Sequence, residues 1–276
     1  MPDAIAIVQG GHRTLLKWHR ARRRAGDPAF TPRRIREGMT LGASVEVDLV
    51  AHAGDGFAVL HDMTLDGATT GKGPVRAASA AELRTLRLRD PGGRPIADRV
   101  LLLEDLAALL GEGGVHPDAL LQLDYKEENP PLSPTALAAF ARAVAPVARH
   151  GILSSGDAGA VRALAASAPG LRIGYDPCHD GAIERLRASR DYGGFVAEAL
   201  AALPAETIYL DHALVLFAAG DGFDLVAAFH AAGRRVDAYT IRGADAAGLA
   251  AARRLLALRV DQITTDDAEG LAAALG

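Results

Sequence analysis

The chain of 276 residues holds a single cysteine, Cys178, so no intrachain disulfide can form, which fits a reducing compartment. Its N-terminus, MPDAIAIVQGGHR, has no basic segment followed by a long apolar one, so no signal peptide is expected. No uninterrupted apolar run is long enough to span a bilayer, and the expectation is a cytoplasmic protein without a transmembrane segment. There is no excess of positive charge either. The formal net charge of −4 argues against a general nucleic-acid binder. Tandem repeats, coiled-coil heptads and a disordered tail are also missing. What remains is ordinary globular composition, 49% hydrophobic and 23% charged, in a length that suits one domain spanning 1–276.

Short β-like runs alternate with Ala/Leu-rich helical runs from end to end. Strands are expected at 4–8, 44–50, 120–125, 151–154, 171–175, 207–210, 235–241 and 260–264. Helical patterns fall at 31–41, 80–86, 103–110, 134–150, 157–168, 223–232 and 245–258, with Pro32 and Pro134 at first-turn positions and Asp157 as an N-cap. The polar stretches 90–94 and 127–133 read as loops. Eight strands with intervening helices predict an α/β (β/α)8 TIM barrel. A doubly wound sheet is the competing architecture. It would carry a glycine-rich phosphate turn after the first strand, and Gly10-Gly11-His12-Arg13 does not have the G-x-G-x-x-G pattern.

Two acids interrupt the apolar run SVEVDLV. Alternation along a strand puts Glu46 and Asp48 on one face, toward the barrel interior, and Val45, Val47 and Leu49 toward the helices. Carboxylates side by side and out of water must be protonated, paired or bridged by a cation, and a hard divalent ion such as Mg²⁺ or Ca²⁺ suits oxygen ligands. LQLDYK supplies Asp124 as the converging acid, with Lys126 on the same face at the C-terminal end of its strand, where barrels place their chemistry. Gly54-Asp55-Gly56 signals a short hairpin after the second strand that returns His61 over the acids. His12, after the first expected strand, would face His61 across a bound group. Two imidazoles, a divalent cation and the positive charge of Arg13 and Lys126 suit a small anionic phosphodiester.

These pieces resemble the glycerophosphodiester phosphodiesterase family over nearly the whole chain. The matching segments are GGHR at 10–13, VEVDL at 45–49, DGFAVLHDMTLDGATTGKGPV at 55–75, SAAELRTLRL, LLLEDLAALL at 101–110, LQLDYK at 121–126, ILSS at 152–155, VDAYTI at 236–241 and VDQITTD at 260–266. The resemblance implies a barrel, a divalent-metal site on Glu46, Asp48 and Asp124, and acid–base roles for His12 and His61. It also implies hydrolysis of deacylated phospholipid diesters to glycerol 3-phosphate and an alcohol, by way of a cyclic phosphate. Tyr239 and His212, at strand ends, join Arg13 and Lys126 as expected substrate contacts.

The chain departs from the family pattern in three places. Thr14 follows His12-Arg13 where the family has Gly. Asp124 stands at a position usually held by Glu. LLKWHRARRRAGDPAFTPRRI replaces the stretch containing Pro-Glu-Asn-Thr. Rival readings are a lysophospholipase D or sphingomyelinase D-like enzyme and a non-catalytic binding barrel. The basic run 17–24 is expected either to rim the site, with Trp18 against a headgroup, or to form a solvated helix. His52, His116, His150 and His230 read as surface or loop residues, and Cys178 as a bystander. Asp176, Asp211 and Asp266 end strands, as supporting or rim groups.

Overall fold

In the computed structural model, which describes residues 4–127 and 132–276, the chain reverses at Gly10 and Gly11. Both have positive φ, 55° and 75°, the backbone state that a two-residue hairpin turn requires. The turn joins β1 (Ala6–Gln9) to β2 (His12–Trp18) as an antiparallel pair, with Gln9 opposite His12 and Ala6 opposite Leu15. The run expected to be the first barrel strand is therefore only the outer arm of a hairpin, and the barrel begins with HRTLLKW. Of the 127–133 stretch, residues 128–131 lie outside the described residues.

The barrel then closes as expected. Its other members are β3 (Ser44–Ala51), β7 (Leu120–Tyr125), β8 (Gly151–Ser154), β9 (Arg172–Tyr175), β10 (Thr207–Asp211), β11 (Arg235–Ile241) and β12 (Gln262–Thr265). Between β3 and β7 come β4 (Phe57–Val59), β5 (Arg87–Arg89) and β6 (Pro95–Arg99). Eight parallel strands run β2-β3-β7-β8-β9-β10-β11-β12, and β12 pairs with β2 to complete the ring. Helices lie between successive barrel strands, including Pro32–Leu41, Leu103–Gly111, Pro134–Val144, Ala158–Ser167 and Ala246–Ala257. Asp157 caps its helix by accepting from the Gly159 and Ala160 amides. The helices Ala182–Ser189, Tyr192–Ala202, His212–Gly220 and Ala268–Leu275 were not expected from periodicity. Among the described residues no single helix is long and apolar enough to cross a membrane.

Val45, Val47 and Leu49 are buried in the main core with Trp18, Ile35, Leu121, Leu123 and Phe140. Outward-facing apolar residues on the strands thus meet the helices, which leaves the interior for polar groups. One close approach in this layer is at Gly38, in helix Pro32–Leu41. An added Cβ would stand 2.6 Å from Val45 and 3.1 Å from Trp18. Gly38→Ala is expected to destabilise the protein by about 1–3 kcal/mol, because the strand and the indole have no free volume to yield. Thermal or denaturant unfolding checks it, and an unchanged midpoint would contradict the close packing.

The chain leaves the barrel after β3 and returns at residue 103. β4 pairs back on Leu49–Ala51, forming the expected hairpin, and β5 pairs with β6. This excursion has its own apolar cluster, including Val50, Leu60, Leu65, Val75, Leu83, Leu88 and Leu102. That cluster holds the segment carrying His61 against the barrel rim.

Candidate active site

Because β2 rather than β1 is the barrel strand, the residues at its C-terminal end are His19 and Arg20. His12 begins β2 at the opposite end of the barrel. Its Nε2 lies 3.0 Å from the Val260 carbonyl, and the Thr14 hydroxyl donates to the same carbonyl at 2.8 Å. A strand of this length puts His12 about 20 Å from the mouth at about 3.3 Å per residue. Neither His12 nor Arg13 lines the central cavity. The expectations that His12 faces His61 and that Arg13 contacts substrate do not fit this placement: Gly10-Gly11 is a hairpin turn, and both residues lie at the far end of the barrel.

The central cavity, about 210 Å³, opens at the C-terminal ends of the barrel strands. His19, Arg20, Glu46, His61, Asp124 and Lys126 are among its lining residues. Glu46 and Asp48 follow the inward alternation of β3, and the pairing of Asp48 with Asp124 brings the third acid level with them. One ligand oxygen from each of Glu46, Asp48 and Asp124 lies within 4.8 Å of the others. Asp48 is fully buried, and neither of its carboxylate oxygens has a hydrogen-bond partner. Lys126 Nζ at 3.0 Å and Arg20 Nε at 3.4 Å oppose its charge without hydrogen-bond geometry.

Burial pushes the Asp48 carboxyl up. Lys126 works against the rise, Glu46 adds to it, and the net shift is upward. Asp124 goes the other way. Burial would raise it, but Lys126 and the Ser154 hydroxyl outweigh that and hold it low. Burial alone would lower Lys126, yet Asp124, Asp48 and Glu46 lift its ammonium well above the ordinary lysine range. Two orphaned oxygens in a buried acidic group are what a hard cation would satisfy, so the donor set fits a divalent ion.

The imidazoles share one design. His19 Nδ1 lies 2.6 Å from Asp266 Oδ1, and His61 Nδ1 lies 2.8 Å from Asp62 Oδ1. An ionised carboxylate only accepts, so in each ring Nδ1 carries the hydrogen and Nε2 is left for other work. His19 Nε2 stands 3.7 Å from Glu46 Oε2, at the edge of the acidic cluster. Burial would raise the Asp266 carboxyl, but the His19 hydrogen bond, then the charges of His19 and Arg22, hold it far below the ordinary range. Arg242 adds a contact at 3.3 Å.

The barrel floor beneath is polar and connected. Lys17, 1% exposed, donates to Gln122, lies 3.1 Å from Asp237 Oδ2 and sits 4.3 Å from the centre of the Tyr209 ring. Gln122 Nε2 donates to Ser154 Oγ at 2.8 Å, and Ser154 donates to Asp124. On the β9 and β11 side stand Asp176, His179, Tyr239 and Arg242, with His179 Nε2 3.0 Å from Asp176 Oδ2. Burial, then the Asp176 charge, pushes the Tyr239 phenol far up.

Tyr239 thus lines the cavity as expected. His212 does not line it; it starts a helix and bonds the Tyr239 carbonyl at 2.9 Å. The basic run ends β2 and continues as a short 3-10 turn, His19–Ala21, so it forms neither the solvated helix nor a free electropositive rim. Arg22 pairs with Asp266, Arg23 with Glu37 and Glu269, and Arg24 with Glu269. Trp18 is wholly buried, its Nε1–H donating to Ala4, so it meets no headgroup. His52 and His150 are buried, not surface residues.

Comparison with known proteins points to one family. A family model described as the glycerophosphoryl diester phosphodiesterase family matches residues 31–269. That span holds Glu46, Asp48, His61 and Asp124 but begins after His19. No curated protein matches the sequence. Among solved structures, a glycerophosphodiester phosphodiesterase candidate from Galdieria sulphuraria is 19% identical with TM-score 0.75, covering 98% of both chains. A glycerophosphodiester phosphodiesterase from Agrobacterium tumefaciens is 23% identical with TM-score 0.64, over 94% of this chain and 99% of that one. An Oleispira antarctica phosphodiesterase in complex with the product sn-glycerol-3-phosphate is 19% identical with TM-score 0.65, over 94% and 95% of the chains. At these identities the structural likeness is one of fold.

Proposed function

The chain belongs to the glycerophosphoryl diester phosphodiesterase family, and we propose that it cleaves glycerophosphodiesters to glycerol 3-phosphate and an alcohol, with a divalent cation on Glu46, Asp48 and Asp124 and with His19 and His61 as the acid–base pair. One observation carries this reading: an acidic triad with ligand atoms within 4.8 Å adjoins a cavity lined by two imidazoles, each tied through Nδ1 to a carboxylate. The sn-glycerol-3-phosphate held by the Oleispira antarctica enzyme supports the glycerol side of the proposal. The cavity, about 210 Å³ and lined mostly by polar side chains, favours a water-soluble diester over one bearing an acyl chain.

Bound by the three carboxylates, Mg²⁺ or Ca²⁺ would offset charge on the non-bridging phosphoryl oxygens. His19 Nε2 takes the proton of the attacking glycerol hydroxyl, and Asp266 steadies the imidazolium that forms. His61 Nε2 gives a proton to the departing alkoxide. With the roles reversed, water then opens the cyclic phosphate. Arg20 and Lys126 keep positive charge beside the acids and the phosphoryl group.

The test is phosphorus-31 NMR of the products from glycerophosphocholine and lysophosphatidylcholine. Glycerol 3-phosphate from the first is expected. Phosphocholine, or cleavage of the acylated substrate alone, would reject this reading.

The depressed Asp266 carboxyl has a consequence for pH. Its folded value lies below the unfolded one, so its stabilisation is complete above about pH 4 and is lost as pH falls further, toward the folded value. Asp266→Asn should flatten that acid limb of stability. It should also lower kcat by about 10²–10⁴, because an amide no longer fixes the His19 tautomer. Unfolding curves against pH and steady-state rates check both. A variant with wild-type kcat would leave Asp266 no part in orienting His19.

A further inference from the structure

We propose that a second cavity beside the first is the subsite for the departing alcohol, and that it suits a small uncharged hydroxylated alcohol. This rests on the acid–base assignment above. The cavity is about 190 Å³ and lies between the segment after β2 and the excursion that carries His61. Arg20 and His61 line both cavities.

The geometry of displacement at phosphorus assigns the occupants. Attacking and leaving oxygens stand on opposite sides of the phosphorus, roughly in line. Glycerol carries the attacking hydroxyl, so it belongs with His19, in the central cavity. The leaving oxygen must come within hydrogen-bond reach of the acid, His61. His61 stands at the junction, so the group on the leaving oxygen extends past it into the second cavity. A neighbouring cavity on the β9 side shares Asp176 and His179 with the central one, but it touches neither member of the acid–base pair.

The walls point to the alcohol's chemistry. Phe30 and Leu88, 3% and 2% exposed, contribute apolar surface, with Ala29 and Ala68 beside them. The charged groups already have partners. Arg22 holds Asp266 at 2.9 Å, and Arg89 donates to the Thr69 and Gly93 carbonyls, each at 2.6 Å. Asp90 accepts from Arg94 at 3.0 Å, and Asp62 is on His61. Among the described residues each carboxylate lining the cavity already has a basic partner, which disfavours a quaternary ammonium. Apolar surface flanked by satisfied polar groups fits a neutral polyol with carbon and hydroxyl faces.

The experiment compares kcat/KM for three diesters of glycerol 3-phosphate, namely the methyl, glycerol and choline esters, in wild type, Ala68→Trp and Ala29→Trp. The two substitutions fill the cavity from opposite walls, so misfolding of one leaves the other. Wild type is expected to prefer the glycerol ester over the choline ester by about tenfold, and each folded variant to cut the glycerol-to-methyl ratio by about tenfold or more. A ratio unmoved in the folded variants overturns the location, and a choline preference in wild type overturns the class. A wild type inert toward all three esters removes the phosphodiesterase reading and this proposal with it, a pattern distinct from an active enzyme with unmoved ratios.

Discussion

Replacing His19 with alanine is expected to lower kcat by about 10²–10⁴, whereas His12→Ala should leave it within about twofold of wild type. The two histidines are seven residues apart, and each is followed by arginine. Only the one at the C-terminal end of β2 lines the central cavity with Glu46 and His61. Removing its imidazole takes away the base and leaves Asp266, nine-tenths buried, facing Arg22 and Arg242 without its shortest partner. His12 contributes one bond to the Val260 carbonyl at the far end of the barrel, so its loss should register in stability by about 0.5–1.5 kcal/mol, not in turnover. Rates and unfolding midpoints of both variants, measured side by side, decide the matter. A catalytic collapse in His12→Ala with an intact His19→Ala would overturn the assignment.

Removal of divalent metal should abolish turnover, and adding Mg²⁺ or Ca²⁺ back should restore it. Asp48 makes the strongest case, being fully buried with both oxygens unbonded. Asp48→Asn keeps the shape but removes the charge, so the metal concentration for half-maximal effect should rise by about tenfold to a hundredfold. A readout independent of turnover is available. A cation that binds only the folded state stabilises it by about 2.7 kcal/mol at a hundred times its dissociation constant. Added metal should therefore raise the melting temperature of wild type, and of Asp48→Asn only at much higher concentration. Calorimetric titration and melting curves with and without chelator check this. Full activity in chelator, with no metal-dependent shift in melting, would mean that Lys126 and Arg20 alone balance the acids.

Much of the site was legible from local pattern. Inward alternation on β3 picked out Glu46 and Asp48, and LQLDYK supplied Asp124 and Lys126 at the end of its strand. The Gly54-Asp55-Gly56 turn placed the His61 segment over the rim. The first barrel strand is the exception, although its signal lies in plain view. Gly10-Gly11 between apolar runs is a two-residue hairpin turn, and the stretch that departs from the family pattern holds Trp18-His19-Arg20. With GGHR taken as a site motif, His19 and Arg20 fall only within the basic run 17–24, while Asp266 is already expected at a strand end as a supporting or rim group. Ser154, Gln122 and Lys17 carried no signal of their own. Their role depends on hydrogen-bonded neighbours 30 to 105 residues distant in sequence.

By itself the sequence determined the alternation of strand and helix, the inward face of each strand and the supply of carboxylates, because those properties depend on residues two to four apart. The closure of the ring by β12 on β2, and with it the choice of which histidine stands at the mouth, came only with tertiary structure. So did the pairing of each imidazole with its carboxylate. The reason is that strand pairing between distant segments sets which end of a strand faces the cavity, and a hairpin turn reverses that end without altering the composition of the residues around it.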